Sequence, residues 1–140
     1  MSDKNISKEM ILGVDPGRSK TGLALVNQTG AICGLTIAFS ETFIQELKSF
    51  CENKKIKAVV LGDGTNSEKI AKLVKDVFPN MPQYFVGEAY STEEARKLYW
   101  QVNPPKGLKR LVPLGLLVPE EPLDAYAAVV QVRRWLEQNK

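Results

Sequence analysis

Short apolar runs alternate with amphipathic stretches along the 140 residues of the chain. The runs at about 10–15, 21–27 and 31–39 are separated by short polar turns, a pattern that predicts three antiparallel strands joined as a meander. Two further apolar runs, at 57–61 and 84–86, each follow a helical pattern and predict two more strands. The predicted order is three strands, helix, strand, helix, strand, helix, irregular segment and helix.

Four segments show the spacing of apolar residues that is typical of amphipathic helices. Each is predicted to begin at a residue suited to a helix N-terminus. The predicted helices run from Ser40 to Asn53, from Thr65 (in a capping box with Glu68) to Phe78, from Ser91 (in a capping box with Glu94) to Gln101, and from Pro122 to Gln138.

This order of elements places the first strand at the centre of the sheet. The sequence therefore predicts an α/β fold: a five-stranded mixed sheet, with a three-strand antiparallel meander plus two parallel strands, flanked by helices. Ligands of such sheets bind at the carboxyl ends of the strands. Asp15, Asp63 and Glu88 fall at or just beyond these ends, and Asp124 lies in the first turn of the last helix. Acids that converge at one sheet edge repel one another and need a counter-cation.

The composition narrows the chemistry of such a site. The chain contains no histidine, which excludes catalytic triads, zinc sites and general bases that use imidazole. Carboxylate ligands without histidine select a hard ion, Mg²⁺ or Mn²⁺. The net charge of +3 permits a polyanionic partner without requiring one. Taken singly, each acid also fits a turn or a helix-cap position, so the case rests on the set.

The length and the hydrophobic content of 44% are those of an ordinary globular domain. We expect one domain over residues 1–140, with residues 1–9 as a polar leader. No apolar run reaches membrane-spanning length, so we expect a cytoplasmic protein without a membrane partner. The chain is expected to be a monomer or a homodimer, and the apolar loop Leu111–Val118 fits either an interface or a flap over the core.

Three segments resemble the signature segments of one known family. They are ILGVDPGRSKTGLALV (11–26), VGEAYSTEEARKLYW (86–100) and LDAYAAVVQVRRWL (123–136). They are similar to those of the YqgF/RuvX-type, RuvC-related Holliday-junction resolvase-like proteins, which belong to the RNase H-like superfamily. The resemblance implies an RNase H-like fold and metal-dependent cleavage of phosphodiester bonds in structured DNA or RNA, either a Holliday junction or a precursor of 16S rRNA.

The resemblance also implies roles for individual residues. Asp15, Glu88 and Asp124 match the family's catalytic acids. Independently of the resemblance, we expect these acids to hold two Mg²⁺ or Mn²⁺ ions about 3.5–4 Å apart, as two-metal hydrolysis requires, with Asp63 as an outer ligand. Phosphate contacts are expected from basic residues, and an unpaired base could stack on Tyr90. The basic residues are Arg18, Lys20, Lys106, Lys109 and Arg110.

The sequence departs from the family pattern beside one of these acids. The usual Asp-Glu-Arg reads Gly87-Glu88-Ala89, and the fourth strand ends in LGDGT, which looks more like the related domain of certain transcription-associated RNA-binding proteins. A catalytically inactive nucleic-acid-binding or scaffold module of the same fold is therefore the main alternative. An actin-like or sugar-kinase ATPase is a weaker alternative. Those enzymes bind nucleotide between two such domains, and 140 residues supply only one.

Overall fold

A computed structural model of the protein describes residues 9–64, 66–89 and 91–139, and these form one five-stranded sheet with helices on both faces. The strand order is β3-β2-β1-β4-β5. Strands β1, β2 and β3 pair antiparallel, whereas β4 and β5 add in parallel on the other side of β1. The predicted fold class and the central place of the first strand are confirmed. The strands are β1 (Glu9–Asp15), β2 (Lys20–Asn27), β3 (Ile32–Phe39), β4 (Lys55–Gly62) and β5 (Gln83–Val86).

The helices occur in the predicted order, but two of their predicted starts are wrong. Ser40 does not cap a helix: it begins a 3-10 turn, and its hydroxyl donates a hydrogen bond to the Arg18 carbonyl. Pro122 lies before the last helix, which begins at Asp124. The capping box at Thr65 and the stacking role of Tyr90 concern residues outside the described ranges. The helices are α1 (Phe43–Phe50), α2 (Ser67–Val77), α3 (Ser91–Val102) and α4 (Asp124–Gln138).

Burial on both faces of the sheet explains why the central strands are apolar throughout. In β1, Ile11 packs in the core layer under α3 and α4, whereas Leu12 and Val14 pack in the layer under α1 and α2. A strand covered on both sides has no solvent-facing positions, so its sequence does not alternate. Glu9, which was expected in the polar leader, instead begins β1 and pairs with Lys55 of β4.

Two glycines let α4 lie unusually close to the sheet. A Cβ atom at Gly13 of β1 would stand 2.7 Å from the carbonyl oxygen of Ala128, and a Cβ at Gly22 of β2 would overlap the backbone of Asp124. Real Cβ atoms do not make such contacts, so larger residues would push the helix away. The close contact at Gly22 carries the start of α4 to the edge of the sheet where β1 ends.

The segment between α3 and α4 does not cover the core, so the flap considered from the sequence is wrong. Its side chains at Leu111, Leu116 and Val118 are 83%, 75% and 81% exposed. The reason is that α3 contacts this segment through polar groups: the Arg96 guanidinium donates hydrogen bonds to backbone carbonyls, including that of Gly115 at 2.9 Å. Among the residues described, no helix is long and apolar enough to cross a membrane.

Candidate functional site

Asp15 is the centre of a group of acids at the carboxyl edge of the sheet. It is the last residue of β1, and its side chain is half-buried. The amide Nε2 of Gln131 donates a hydrogen bond of 2.9 Å to its Oδ1. The pKa of Asp15 is raised to about 6, chiefly by burial; the charges of Glu88 and Asp124 also raise it, whereas the hydrogen bond from Gln131 lowers it. Such a carboxyl group is partly protonated near neutral pH.

Glu88 reaches Asp15 from the loop after β5. Burial raises the pKa of Glu88, the charge of Asp63 adds to this, and a hydrogen bond with the Asp15 carboxyl opposes it. Two glycines leave the space that Glu88 fills, because a Cβ at Gly62 or at Gly64 would lie 2.6 Å from its Oε1. The glycines of LGDGT at the end of β4 therefore serve the site as space for a carboxylate.

Asp124 approaches the same edge from the start of α4. Its Oδ2 lies 3.3 Å from the Nζ of Lys20, and both side chains are partly exposed. Lys20 was predicted to contact phosphates, and the structure instead pairs it with a predicted metal ligand. The ion pair gives Asp124 a cation from its own chain.

Gln131 is a site residue that the sequence analysis missed. It is fully buried, and its Oε1 has no hydrogen-bond partner among the described residues, although its Nε2 is bonded to Asp15. One signal in the sequence could have identified it. Gln131 is the polar residue in a run of buried Ala and Val, and it follows Asp124 by seven positions, about two helical turns, which places both on one face of α4.

The acids suit a divalent cation by their chemistry, although they do not surround one point. They offer only oxygen, and burial and neighbouring charges disfavour the charged forms of Asp15 and Glu88, so a hard cation would relieve both effects. Within the described ranges, no three His, Cys, Asp or Glu side chains are placed to hold one metal ion. Lys20 and the Gln131 amide offset the charges instead. The donor set fits a metal ion in kind, and the buried, unpartnered oxygen of Gln131 is a further candidate ligand.

The other predicted site residues lie in two places: Asp63 and Arg18 follow the ends of β4 and β1, and the remaining three basic residues lie in the segment after α3. Asp63 follows β4 directly and is exposed, and its charge acts on Glu88. Arg18 is exposed in the β1–β2 loop next to Lys20. Lys106, Lys109 and Arg110 are exposed in the segment after α3, where Lys109 pairs with Glu120 at 3.2 Å. No hydrogen bond or ion pair joins these last three residues to Asp15, Glu88 or Asp124 in the part of the chain that the structure describes.

Comparisons with known proteins agree with this fold. The model of the Tex protein YqgF-like domain matches residues 9–99. The chain is 30% identical over 112 residues to a protein of Flavobacterium psychrophilum named "Putative pre-16S rRNA nuclease". The aligned region covers 71% of this chain and 79% of that protein. A protein of the same name from Flavobacterium johnsoniae is 29% identical over 97 residues, and this alignment covers 61% of this chain and 70% of the relative.

Solved structures extend the likeness to nearly the whole chain. The structure of T. thermophilus RuvC in complex with a Holliday junction substrate has a TM-score of 0.55 at 12% identity, and the superposition covers 94% of this chain and 95% of the RuvC chain. A second structure of Thermus thermophilus RuvC has a TM-score of 0.54 at 15% identity, and the superposition covers 92% of this chain and 94% of the RuvC chain. At these identities the likeness shows a shared fold and nothing of the substrate.

Proposed function

The chain belongs to the family of Tex protein YqgF-like domains, with an RNase H-like fold, and we propose that it is a metal-dependent nuclease that cleaves structured RNA. The name of the Flavobacterium relatives favours precursor 16S rRNA as the substrate. A four-way DNA junction comes second, because the RuvC structures share only the fold with this chain. The proposal keeps the cytoplasmic location expected from the sequence.

The observation that carries the proposal is the convergence of three acids on the end of β1. Asp15 is half-buried, hydrogen-bonded to Glu88 and within the electrostatic reach of Asp124. We assign these three residues to metal binding and Asp63 to a further, outer position. A carboxyl group whose pKa is raised as far as that of Asp15, at the carboxyl edge of an α/β sheet, is a common mark of catalytic sites.

Mg²⁺ or Mn²⁺, expected as a pair, would supply a bound water of lowered pKa and stabilise the departing oxygen of the phosphodiester. The residues of the chain do the rest. Gln131 fixes the orientation of Asp15 through its Nε2. Lys20 balances the charge of Asp124 and is exposed enough to turn towards a phosphate. A carboxylate site of this kind loses metal affinity in acid, as the ligands become protonated.

The test is cleavage of two substrates by the purified protein. A fragment of precursor 16S rRNA and a four-way DNA junction are each incubated with Mn²⁺, with Mg²⁺ and with EDTA. Asp15→Asn should abolish cleavage, because it removes a metal-binding charge at constant size. Glu121→Gln, which neutralises an exposed acid, is the matched control and should cleave normally. Full cleavage by Asp15→Asn would refute the assignment of the site.

A second candidate function is a nucleic-acid-binding module without activity. It is favoured by the internal ion pair between Lys20 and Asp124, and by Gly87 and Ala89, where the resemblance expects an acid and an arginine. In that case the wild-type protein would bind the RNA fragment equally well with Mn²⁺ and with EDTA and would cleave neither substrate.

A further inference from the structure

An exposed aromatic ring stands at the same edge of the sheet as the acids. Phe39 is the last residue of β3, and 57% of its surface is exposed. It is paired in register with Lys20 at the start of β2. Because β2 runs antiparallel to both of its neighbours, the end of β3 and the end of β1 lie at one edge of the sheet. Asp15 is aligned with Ile37 through Gly22, so Phe39 lies two strand spacings across and two residues along from Asp15, roughly 12 Å away.

The ring also lies on the face of the sheet that carries the site. Residues paired across antiparallel strands project to the same face. The Lys20 side chain reaches Asp124 at the start of α4, so it projects to the α4 face, and Phe39 projects there beside it. Phe39 is therefore the neighbour of a cation that already contacts the site.

The backbone around Phe39 is held in place by hydrogen bonds. The Phe39 N–H donates to Oε2 of Glu46 at 2.8 Å. The next residue, Ser40, donates from its backbone N–H to the Ser19 carbonyl at 3.0 Å and from its hydroxyl to the Arg18 carbonyl at 3.1 Å. These bonds join the end of β3 to the β1–β2 loop, so the backbone that carries Phe39 is tied to the backbone that carries Arg18 and Lys20.

We propose that Phe39 is a stacking platform for an unpaired base of a nucleic acid strand whose phosphates lie on Arg18 and Lys20. An aromatic face beside cations is the usual arrangement for binding a single strand, because every base has a π-face and every nucleotide a phosphate. The polar surroundings favour this occupant over an apolar protein surface, since the neighbours Ser19, Ser40 and Lys20 do not extend the apolar patch. The inference rests on the proposed function and adds to it a preference for an unpaired nucleotide beside the cleaved bond.

The test measures binding in EDTA, so that cleavage plays no part. The probes are a single-stranded RNA, a single-stranded DNA of the same sequence, and the blunt duplex of each, with 2-aminopurine at one position. Phe39→Ala should weaken binding of the single strands about five-fold or more, leave the duplexes nearly unchanged and abolish the quenching of 2-aminopurine. Phe39→Trp should restore both signals, whereas Phe39→Leu, which keeps apolar bulk without a π-face, should not.

Phe85 provides the matched control, because it is 50% exposed on the opposite edge strand, β5. Phe85→Ala should bind all probes as the wild type does. Equal losses of single strands and duplexes on Phe39→Ala, or none, would overturn the stacking role. If Arg18→Ala and Lys20→Ala still weaken binding in that case, the nucleic-acid-binding function survives without the platform. A wild-type protein that binds none of the probes would overturn the stacking role alone. The nuclease is decided separately, by the cleavage of precursor 16S rRNA and the four-way junction with Mn²⁺ or Mg²⁺.

Discussion

Replacing Asp15 by Asn should stabilise the folded protein at neutral pH. The pKa of Asp15, about 6, lies roughly two pH units above the ordinary value of 3.8. At 1.36 kcal/mol per pH unit this corresponds to at most about 3 kcal/mol against folding when the group is ionised. Because the side chain is not fully buried, we expect a gain of about 2 kcal/mol from Asp15→Asn. Its Oδ1 can still accept from Gln131 and its Nδ2 can donate to Glu88, as the protonated acid does.

The pH dependence separates this cause from a general packing effect. A carboxyl group with a higher pKa in the folded chain than in the unfolded chain binds its proton more tightly when folded. Its contribution to stability is therefore complete below about pH 3.8 and is lost as the pH rises through 6. The advantage of Asp15→Asn should thus be full at pH 8 and nearly absent at pH 4.

The assay is urea denaturation in EDTA at a series of pH values, supported by thermal melts. A gain of about 2 kcal/mol should raise Tm by roughly 5–10 °C for a chain of this size. Asp76→Asn, which neutralises an exposed aspartate of α2, is the control and should change little. A gain from Asp15→Asn that is the same at pH 4 and pH 8, or no gain at pH 8, would show that the ionised Asp15 is not strained by its surroundings.

Three further substitutions test the parts of the site separately. Lys20→Met should tighten Mn²⁺ binding by up to about five-fold in calorimetry, because it frees Asp124 from a partly exposed ion pair; unchanged affinity would contradict a competing role for the lysine. Gln131→Leu removes a hydrogen bond to Asp15 and should raise the pKa of Asp15 by a further one to two pH units in a carbon NMR titration, and an unshifted titration would argue against the bond. Gly22→Ala should lower the free energy of unfolding by about 1–3 kcal/mol, because its Cβ meets the backbone of α4; wild-type stability in urea would mean that the helix is not held there.

The fold could be predicted from the sequence because its signals are local. The period of the apolar residues identified the strands, and the short polar connections between the first three fixed the meander. Ser40 shows where local signals fail. Its hydroxyl suits a helix cap, but a carbonyl of the β1–β2 loop accepts its hydrogen bond, and that loop is 22 positions away along the chain. Contacts of this kind exist only after the strands have paired.

The acids of the candidate site could be proposed from the sequence, but their partners Lys20 and Gln131 could not. Asp15, Glu88 and Asp124 were identified from their places at the ends of elements, which the order of strands determines. The partners were missed because they depend on how closely α4 lies to the sheet. That distance is set by Gly13 and Gly22, and neither glycine carries a sequence signal for a helix 100 positions later. The pairing of Lys20 with Asp124 follows from the same approach.

The internal charge balance bears on the choice between a nuclease and an inactive module. A module that only binds nucleic acid has no use for an ionisable group whose burial opposes folding, and Asn at position 15 would keep the hydrogen bonds without that penalty. Residues that destabilise a fold are characteristic of sites in which the charge takes part in chemistry. The hydrogen bond from Gln131 favours the charged form of Asp15 without fully offsetting its burial, and Lys20 forms an ion pair with Asp124. The fold keeps an ionisable Asp15 at a half-buried position, and the glycines at positions 62 and 64 leave the space in which Glu88 lies beside it. A catalytic site explains this arrangement better than a scaffold does.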